Sequence, residues 1–471
     1  MLTLLLLQKS KLDLAGGTKH GWYYYGKLKY FKNLTKKVSP CPPSHAPQSS
    51  PPPMAPEFNL LAITLMLVLF LLWKLDFIAT ILTLKNLRPE LPEEFQGVWN
   101  DEKYAKAQHY ERAQARFGIT SSIYSLSILL AFWTIGGFGW LDTLVRAWGF
   151  GNVATGLCYI GLMYLGSWLI SLPFDIYHTF ALEERFGFNK TTRATYIGDQ
   201  IKSHLMMALI GLPIMALILW IFYSVDNAWI FAWLSFTVIS LALTYLAPSL
   251  ILPLFNKFSP LEDEELNKSI QSMAKKCDFP LTEISVMDGS KRSSKSNAFF
   301  TGFGKRKKIA LYDTLIESQS TDELVAVLAH EIGHFKKKHI VQRLVISIIQ
   351  TAVMFFLLGM ATNPETAFGS QLYAAFGVSS GAIYVGLVLF MIVFKPISRV
   401  LSVFMNILSR KHEFEADAYA AKVQDTPEHL VTALKKLSAN NLSNLTPHPL
   451  EVFLDHSHPP VLTRIRALQA L

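Results

Sequence analysis

Long apolar stretches decide what this chain can fold into. The hydrocarbon core of a bilayer is about 30 Å thick, and about 20 helical residues cross it. Seven stretches meet that length, at roughly 59–84, 119–141, 153–174, 203–223, 228–254, 341–361 and 378–396. Lipid offers a backbone no hydrogen-bond partners, so each stretch reads as a helix. Charged residues make up only 17% of the 471 residues, against about 25% in soluble proteins. The chain is therefore expected to be a mostly α, multi-pass membrane protein, with the lipid bilayer as a partner.

The net charge of +9 does not indicate nucleic-acid binding, because no basic-aromatic module accompanies it. Basic residues fall instead in alternate loops. Lys85, Arg88, Lys103, Lys106, Arg112 and Arg116 follow the first stretch, and Arg185, Lys190, Arg193 and Lys202 follow the third. Arg399, Arg410 and Lys411 follow the seventh. The positive-inside bias then puts the N-terminus outside and the C-terminus in the cytoplasm. Lys74 and Asp76 interrupt the first stretch. Either they face a cavity or a partner, or the span ends near Trp73 and they lie at an interface.

Residues 1–53 differ from the rest. Eight lysines from Lys9 to Lys37 precede a run from Pro40 to Pro53 rich in Pro and Ser. Such a segment cannot bury a core and is expected to be disordered. Its lysines conflict with an outside N-terminus, so Met54 is expected to be the natural start and 1–53 a non-native extension. The remaining divisions are 54–254 with the first five spans, a polar segment at 255–340, a hairpin of two spans at 341–396 and a polar segment at 397–471. The two polar segments are expected to fold together on the cytoplasmic side as one split domain. Within it, Glu283–Asp288 and Lys308–Tyr312 read as strands. Ser320 and Glu323 form a capping box opening a helix with apolar Leu324, Val327, Leu328 and Ile332.

That helix carries His330-Glu331-Ile332-Gly333-His334. Positions i and i+4 lie about 6 Å apart along one helical face, so both imidazoles can reach one zinc ion. Glu331 lies beside the metal, able to take a proton from water and hand it to a leaving amine. Cys41, Cys158 and Cys277 are too scattered for a thiolate site, so the remaining ligand is a carboxylate or an imidazole. The extended motif HExxHxxGxxH is absent, because Lys337 and Ile340 occupy its positions and His339 is one residue out of register. A second candidate helix holds Arg410-Lys411-His412-Glu413-Phe414-Glu415-Ala416-Asp417. Glu413 and Asp417 share a face, so one can bind metal while the other orients a ligand histidine. Glu415 points away from that face. His412 is the alternative ligand; it diverges from Glu413 by about 100°, so only one of the two can aim at the metal.

HEIGH followed, after a transmembrane hairpin, by EFEAD resembles the type I CAAX prenyl protease family of membrane gluzincins. Matching stretches are Leu172–Tyr177 (LPFDIY), Phe180–Asn189 (FALEERFGFN), Ser290–Ala298 (SKRSSKSNA) and Ser457–Pro460 (SHPP) with Arg464. The resemblance runs from about residue 58 to the end. It implies seven long helices forming a barrel around a chamber, closed at its cytoplasmic end by a gluzincin-type α+β zinc domain. It implies one zinc per chain, with Glu413 as third ligand and Asp417 as the companion of a ligand histidine. Asn297 and His458 would bind substrate or stabilise an oxyanion, with Arg464 close by. Ala298–Phe303 is expected to form or adjoin a sheet edge that holds the substrate as an added strand.

The function expected from these readings is zinc-dependent endopeptidase activity, removing the C-terminal tripeptide of prenylated proteins. The alternatives are a quality-control protease for membrane proteins and a transporter with structural zinc. The membrane would be the inner or plasma membrane in a bacterium, or of endoplasmic reticulum type in a eukaryote. Nothing in the sequence sets an oligomeric state.

Overall fold

The structure is a computed structural model describing residues 54–303, 306–379 and 381–471. The expectations for residues 1–53 lie outside the described residues.

Seven helices among the described residues are long and apolar enough to cross a membrane. They are α1 (Leu60–Asn86), α2 (Asp101–Thr134), α3 (Asn152–Glu183), α4 (Arg193–Ser224), α5 (Ala228–Phe255), α8 (His339–Thr362) and α9 (Ile383–Gln424). Local chemistry sets their ends. The side chains of Asn59 and Asn100 cap α1 and α2 by accepting from Ala62 N and Lys103 N at 2.9 and 2.8 Å. The single stretch read at 119–141 divides into two elements. Gly136 adopts φ +76°, which ends α2 and starts a separate short helix at Gly137–Arg146. Periodicity alone does not reveal that break, because both pieces are apolar.

Membrane helices pack in succession, α1 on α2, α2 on α3, α3 on α4, α4 on α5, α5 on α8 and α8 on α9, and α9 returns to pack on α1, α3 and α4. No more than 22% of any apolar window is buried inside the protein. Asp76 is ion-paired with Arg399 at 2.6 Å, and Arg399 also holds Asp455 at 2.5 Å. Of the two readings of that charged pair, Asp76 therefore follows the one with a partner.

Between α5 and α8 lies a small sheet. It comprises β1 (Phe258–Pro260), β2 (Leu281–Met287), β3 (Ala298–Phe303) and β4 (Arg306–Tyr312), in the order β1-β2-β4-β3. The β2/β4 pair is parallel and the other two are antiparallel, so β3 stands at an edge. Two amphipathic helices, α6 (Glu264–Lys276) and α7 (Thr321–Lys336), cover the sheet. Their Leu266, Ile270, Leu324, Leu328 and Ile332 share a core with Ile284, Ile309 and Leu311. After α9 come α10 (Glu428–Asn440) and α11 (Val461–Gln469). A further core joins them to α7 and to the inner ends of the membrane helices through Tyr104, Tyr110, Phe186, Ala326, Ala420, Leu430 and Ile465.

Candidate metal centre

Helix α7 starts with the expected capping box. Glu323 N donates to Ser320 Oγ at 3.4 Å and Ser320 N donates to Glu323 Oε2 at 2.8 Å. The helix ends at Lys336, and Lys338, with φ of +58°, turns the chain into α8. Helix α9 is one continuous run of 42 residues, about 63 Å at 1.5 Å per residue. That is roughly twice the bilayer core, so the helix extends well past any span and carries Glu413 and Asp417 to α7.

Gly333 lets the two helices meet. A Cβ built there would sit 3.0 Å from Ala416 Cα and 3.1 Å from Ala416 O. The glycine of HEIGH thus permits a backbone-to-backbone crossing that any side chain would obstruct. Across it, His330, His334 and Glu413 each offer a ligand atom, all within 4.8 Å of one another. His330 Nε2 lies 3.2 Å from His334 Nε2 and 3.5 Å from Glu413 Oε2; His334 Nε2 lies 3.3 Å from Glu413 Oε1.

A second layer orients these groups. His330 Nδ1 donates to Asp417 Oδ1 at 2.8 Å. A carboxylate only accepts, so Nδ1 carries a proton and Nε2 is turned toward the other two donors. Arg464 grips Asp417 through Nε and Nη2 at 2.8 and 2.6 Å and reaches Glu413 Oε2 at 3.4 Å. On the other side, His334 Nδ1 meets His339 Nδ1 at 3.0 Å, and His339 Nε2 donates to Glu415 at 2.8 Å.

The electrostatics follow from burial and partners. Burial opposes a charge on His330, but the carboxylates of Asp417 and Glu413 outweigh it and push the pKa up to about 10. A buried imidazole that strongly prefers a positive charge marks a cluster built to hold a cation. Burial lowers His334 and pushes His458 down to about 4, with Glu413 opposing. Burial also opposes the charge of Arg464, but Asp417 prevails and keeps it charged.

The remaining site residues are placed as follows. Glu331 lines a cleft with Val327 and with Ala298, Phe299 and Phe300 of the edge strand. His458 Nε2 lies 3.3 Å from Glu413 Oε1, and its Nδ1 lies 3.0 Å from Ser457 Oγ. Asn297 precedes β3, with its Oδ1 accepting from Ala298 N at 2.8 Å. Among the described residues, no hydrogen bond joins Asn297 to His330, His334 or Glu413. His412 is not in the donor cluster. It stacks on His339 with centroids 3.9 Å apart and bonds Gln342 Oε1 at 3.0 Å. Glu415 faces His339, away from the donors. His339 itself was legible only as a residue out of register. Its signal was the turn at Lys338, which folds it back against His334.

Two imidazoles and a carboxylate on a glycine-spaced helix crossing, attached to seven membrane-crossing helices, define a membrane metallopeptidase. Residues 80–257 match the family model described as the CAAX prenyl protease N-terminal domain, five membrane helices, and residues 260–471 match peptidase family M48. The chain is 40% identical over 403 residues to CAAX prenyl protease 1 of Saccharomyces cerevisiae, covering 80% of this chain and 88% of that one. It is 34% identical over 428 residues to the CAAX prenyl protease 1 homolog of Homo sapiens, covering 81% and 89%. The crystal structure of S. mikatae Ste24p superposes with a TM-score of 0.80 at 36% identity, covering 88% of this chain and all of that one. The chain belongs to peptidase family M48, and it is a multi-pass membrane metalloendopeptidase.

Proposed function

We propose that this chain is a zinc-dependent endopeptidase that removes the C-terminal tripeptide from prenylated CAAX proteins. The observation that carries the chemistry is the convergence of His330, His334 and Glu413 beside Glu331 and an edge strand. Two nitrogens and one carboxylate suit zinc and leave a coordination position for the reaction. The names of the relatives, CAAX prenyl protease 1 and its homologs, support the substrate class.

Bound at these three residues, zinc would polarise the scissile carbonyl and lower the pKa of water. Glu331 takes the proton of the attacking water and returns it to the leaving amine. Asp417 and Arg464 fix the tautomer of His330 and hold the charge of Glu413. His458, kept neutral by burial, offers Nε2–H to the developing oxyanion, and Asn297 offers its amide from the start of β3. An extended peptide adds to β3 as a further strand, which carries its scissile bond past Glu331.

Residues 255–340 and 397–471 act as one split protease domain, facing the cytoplasm by the distribution of Lys and Arg. In a eukaryote the membrane is of endoplasmic reticulum type. The seven apolar membrane helices give the lipid of a prenylated substrate an apolar surround, with the metal centre at one end.

The test uses full-length protein in detergent with a farnesylated CAAX peptide and its unlipidated twin. Chelator-sensitive release of the tripeptide from the lipidated peptide is the expected result. Cleavage of neither peptide by zinc-loaded, folded protein overturns the substrate assignment and points to loosely folded membrane proteins as clients.

A further inference from the structure

The basic residues after the first span do more than bias topology. On α2, Lys103, Lys106, His109, Arg112 and Arg116 recur every third or fourth residue and line one cavity of about 1050 Å³. Arg185, just past the end of α3, lines it as well, with Phe186. The Arg185 guanidinium lies over the Phe186 ring at 5.8 Å. Lys106 Nζ lies only 3.9 Å from where a Cβ at Gly187 would stand. Residues remote in sequence therefore converge on one space.

Among the described residues, Lys106, Arg112, Arg116 and Arg185 have no ion pair. Some nearby basic residues are paired, Arg292 with Asp199, Lys295 with Glu183 and Arg466 with Glu94, and so are not available to an anion in the same way. Glu102 is the one carboxylate lining the cavity. Uncompensated cations around a concave surface raise the local concentration of anions.

Position identifies the anion. Arg116 directly precedes Phe117, where an uncharged stretch of α2 begins and runs to Thr134. The basic row thus ends where the apolar span starts, and about 20 Å of helix separates Lys103 from Arg116. Tyr104, Ala107 and Tyr110 of this same segment pack in the core shared with α7, which puts the cavity on the side of the membrane that carries the metal centre. A free anion would need no adjoining apolar span, whereas a lipid needs both.

We infer that this cavity binds the headgroup of an anionic phospholipid, its phosphate held by Arg112, Arg116 and Arg185 while its tails lie along the apolar part of α2. Basic pockets between membrane helices take headgroups in this way. Each arginine contributes about fivefold in affinity, and removing two costs about 25-fold. The inference does not depend on the catalytic reading.

The test uses the full-length protein in nanodiscs of phosphatidylcholine alone or with phosphatidylserine, followed by release into detergent and native mass spectrometry of retained lipid. Selective retention of phosphatidylserine is expected, falling about 25-fold in Arg112→Gln/Arg185→Gln and preserved in Arg112→Lys/Arg185→Lys. Equal retention of phosphatidylcholine overturns the inference, as does unchanged retention in the glutamine variant. Glycerophosphoserine, the same headgroup without tails, should compete poorly. Competition as strong as the intact lipid's would assign the cavity to a soluble anion instead. Should the double variant fail to fold, Arg185→Gln alone, at an exposed position, is expected to lose about fivefold; no loss refutes the assignment.

Discussion

The crossing at Gly333 makes a quantitative test of how the metal centre is assembled. In Gly333→Ala, the new Cβ would lie 3.0 Å from Ala416 Cα, 3.1 Å from Ala416 O and 3.2 Å from Tyr419 Cβ. Favourable carbon–carbon contact begins at about 3.5 Å. Two of the three neighbours are backbone atoms, so α7 and α9 must separate by a few tenths of an ångström. Alanine's helix propensity gains about 1 kcal/mol over glycine, and overpacking costs about 1–3 kcal/mol. The net effect on stability is small, up to about 2 kcal/mol destabilising. The effect on the metal site is larger, because donor distances tolerate only about 0.2 Å and Glu413 is one turn from Ala416. Zinc affinity, measured by chelator competition on the purified full chain, should fall about 10–100-fold, as for a lost supporting residue. Gly161→Ala, with nothing within 4 Å of its new Cβ, should leave affinity unchanged. Wild-type affinity in Gly333→Ala would refute the close crossing as the device that brings Glu413 to the histidines.

Further outcomes test individual groups. Glu331→Gln should retain metal, read by elemental analysis, while turnover falls about 10²–10⁴-fold; loss of the metal instead would make Glu331 a ligand. His339→Phe and Glu415→Gln should each weaken zinc binding about 10–100-fold, as read by chelator competition, with the same ranking in both variants if they act through His334. Zinc affinity should also rise with pH. In the metal-free protein the pKa of His330 is raised from 6.5 to about 10, so its proton stabilises that state fully below pH 6.5, and the gain is lost as pH climbs through about 10. Metal must displace this proton, so affinity should increase about tenfold per pH unit between roughly 7 and 9. Isothermal titration in buffers of different ionisation heat counts the released proton, and none released would exclude a charged His330 in the metal-free protein.

Much of the centre was legible because its parts are local. The i, i+4 histidines, the capping box at Ser320 and Glu323, and the shared face of Glu413 and Asp417 all follow from helix geometry within a few residues. That Ala298–Phe303 forms or adjoins a sheet edge was legible from strand pattern alone, and the strand stands at the edge. What was hidden depends on tertiary approach. The role of Arg464 required α11 to pack beneath α9, so that its guanidinium could reach Asp417 at 2.6 Å. His339 was discounted by register, because the counting rule assumes that α7 continues; Lys338 at φ +58° breaks it. The split of the second apolar stretch was hidden too, since a left-handed glycine leaves no mark on hydropathy.

The same reasoning explains why one helix carries both a membrane span and a candidate metal ligand. A loop between them would let Glu413 move relative to the bilayer. Helix α9 removes that freedom, and the ion pairs of Arg399 with Asp76 on α1 and Asp455 fasten it at mid-length. Asp455 ends the short helix Pro449–Asp455, three residues before His458, so the Arg399 bridge also sets where His458 stands against Glu413. Arg410 adds a second tie, donating to the backbone carbonyls of Val452 and His456 at 2.8 and 2.6 Å. The position of His458 is thus referred to the same helix that supplies Glu413, rather than to the sheet or to α7. A substrate that shifts α9 relative to α1 moves Glu413 and His458 together, and the distance between them, 3.3 Å, is the quantity this arrangement preserves.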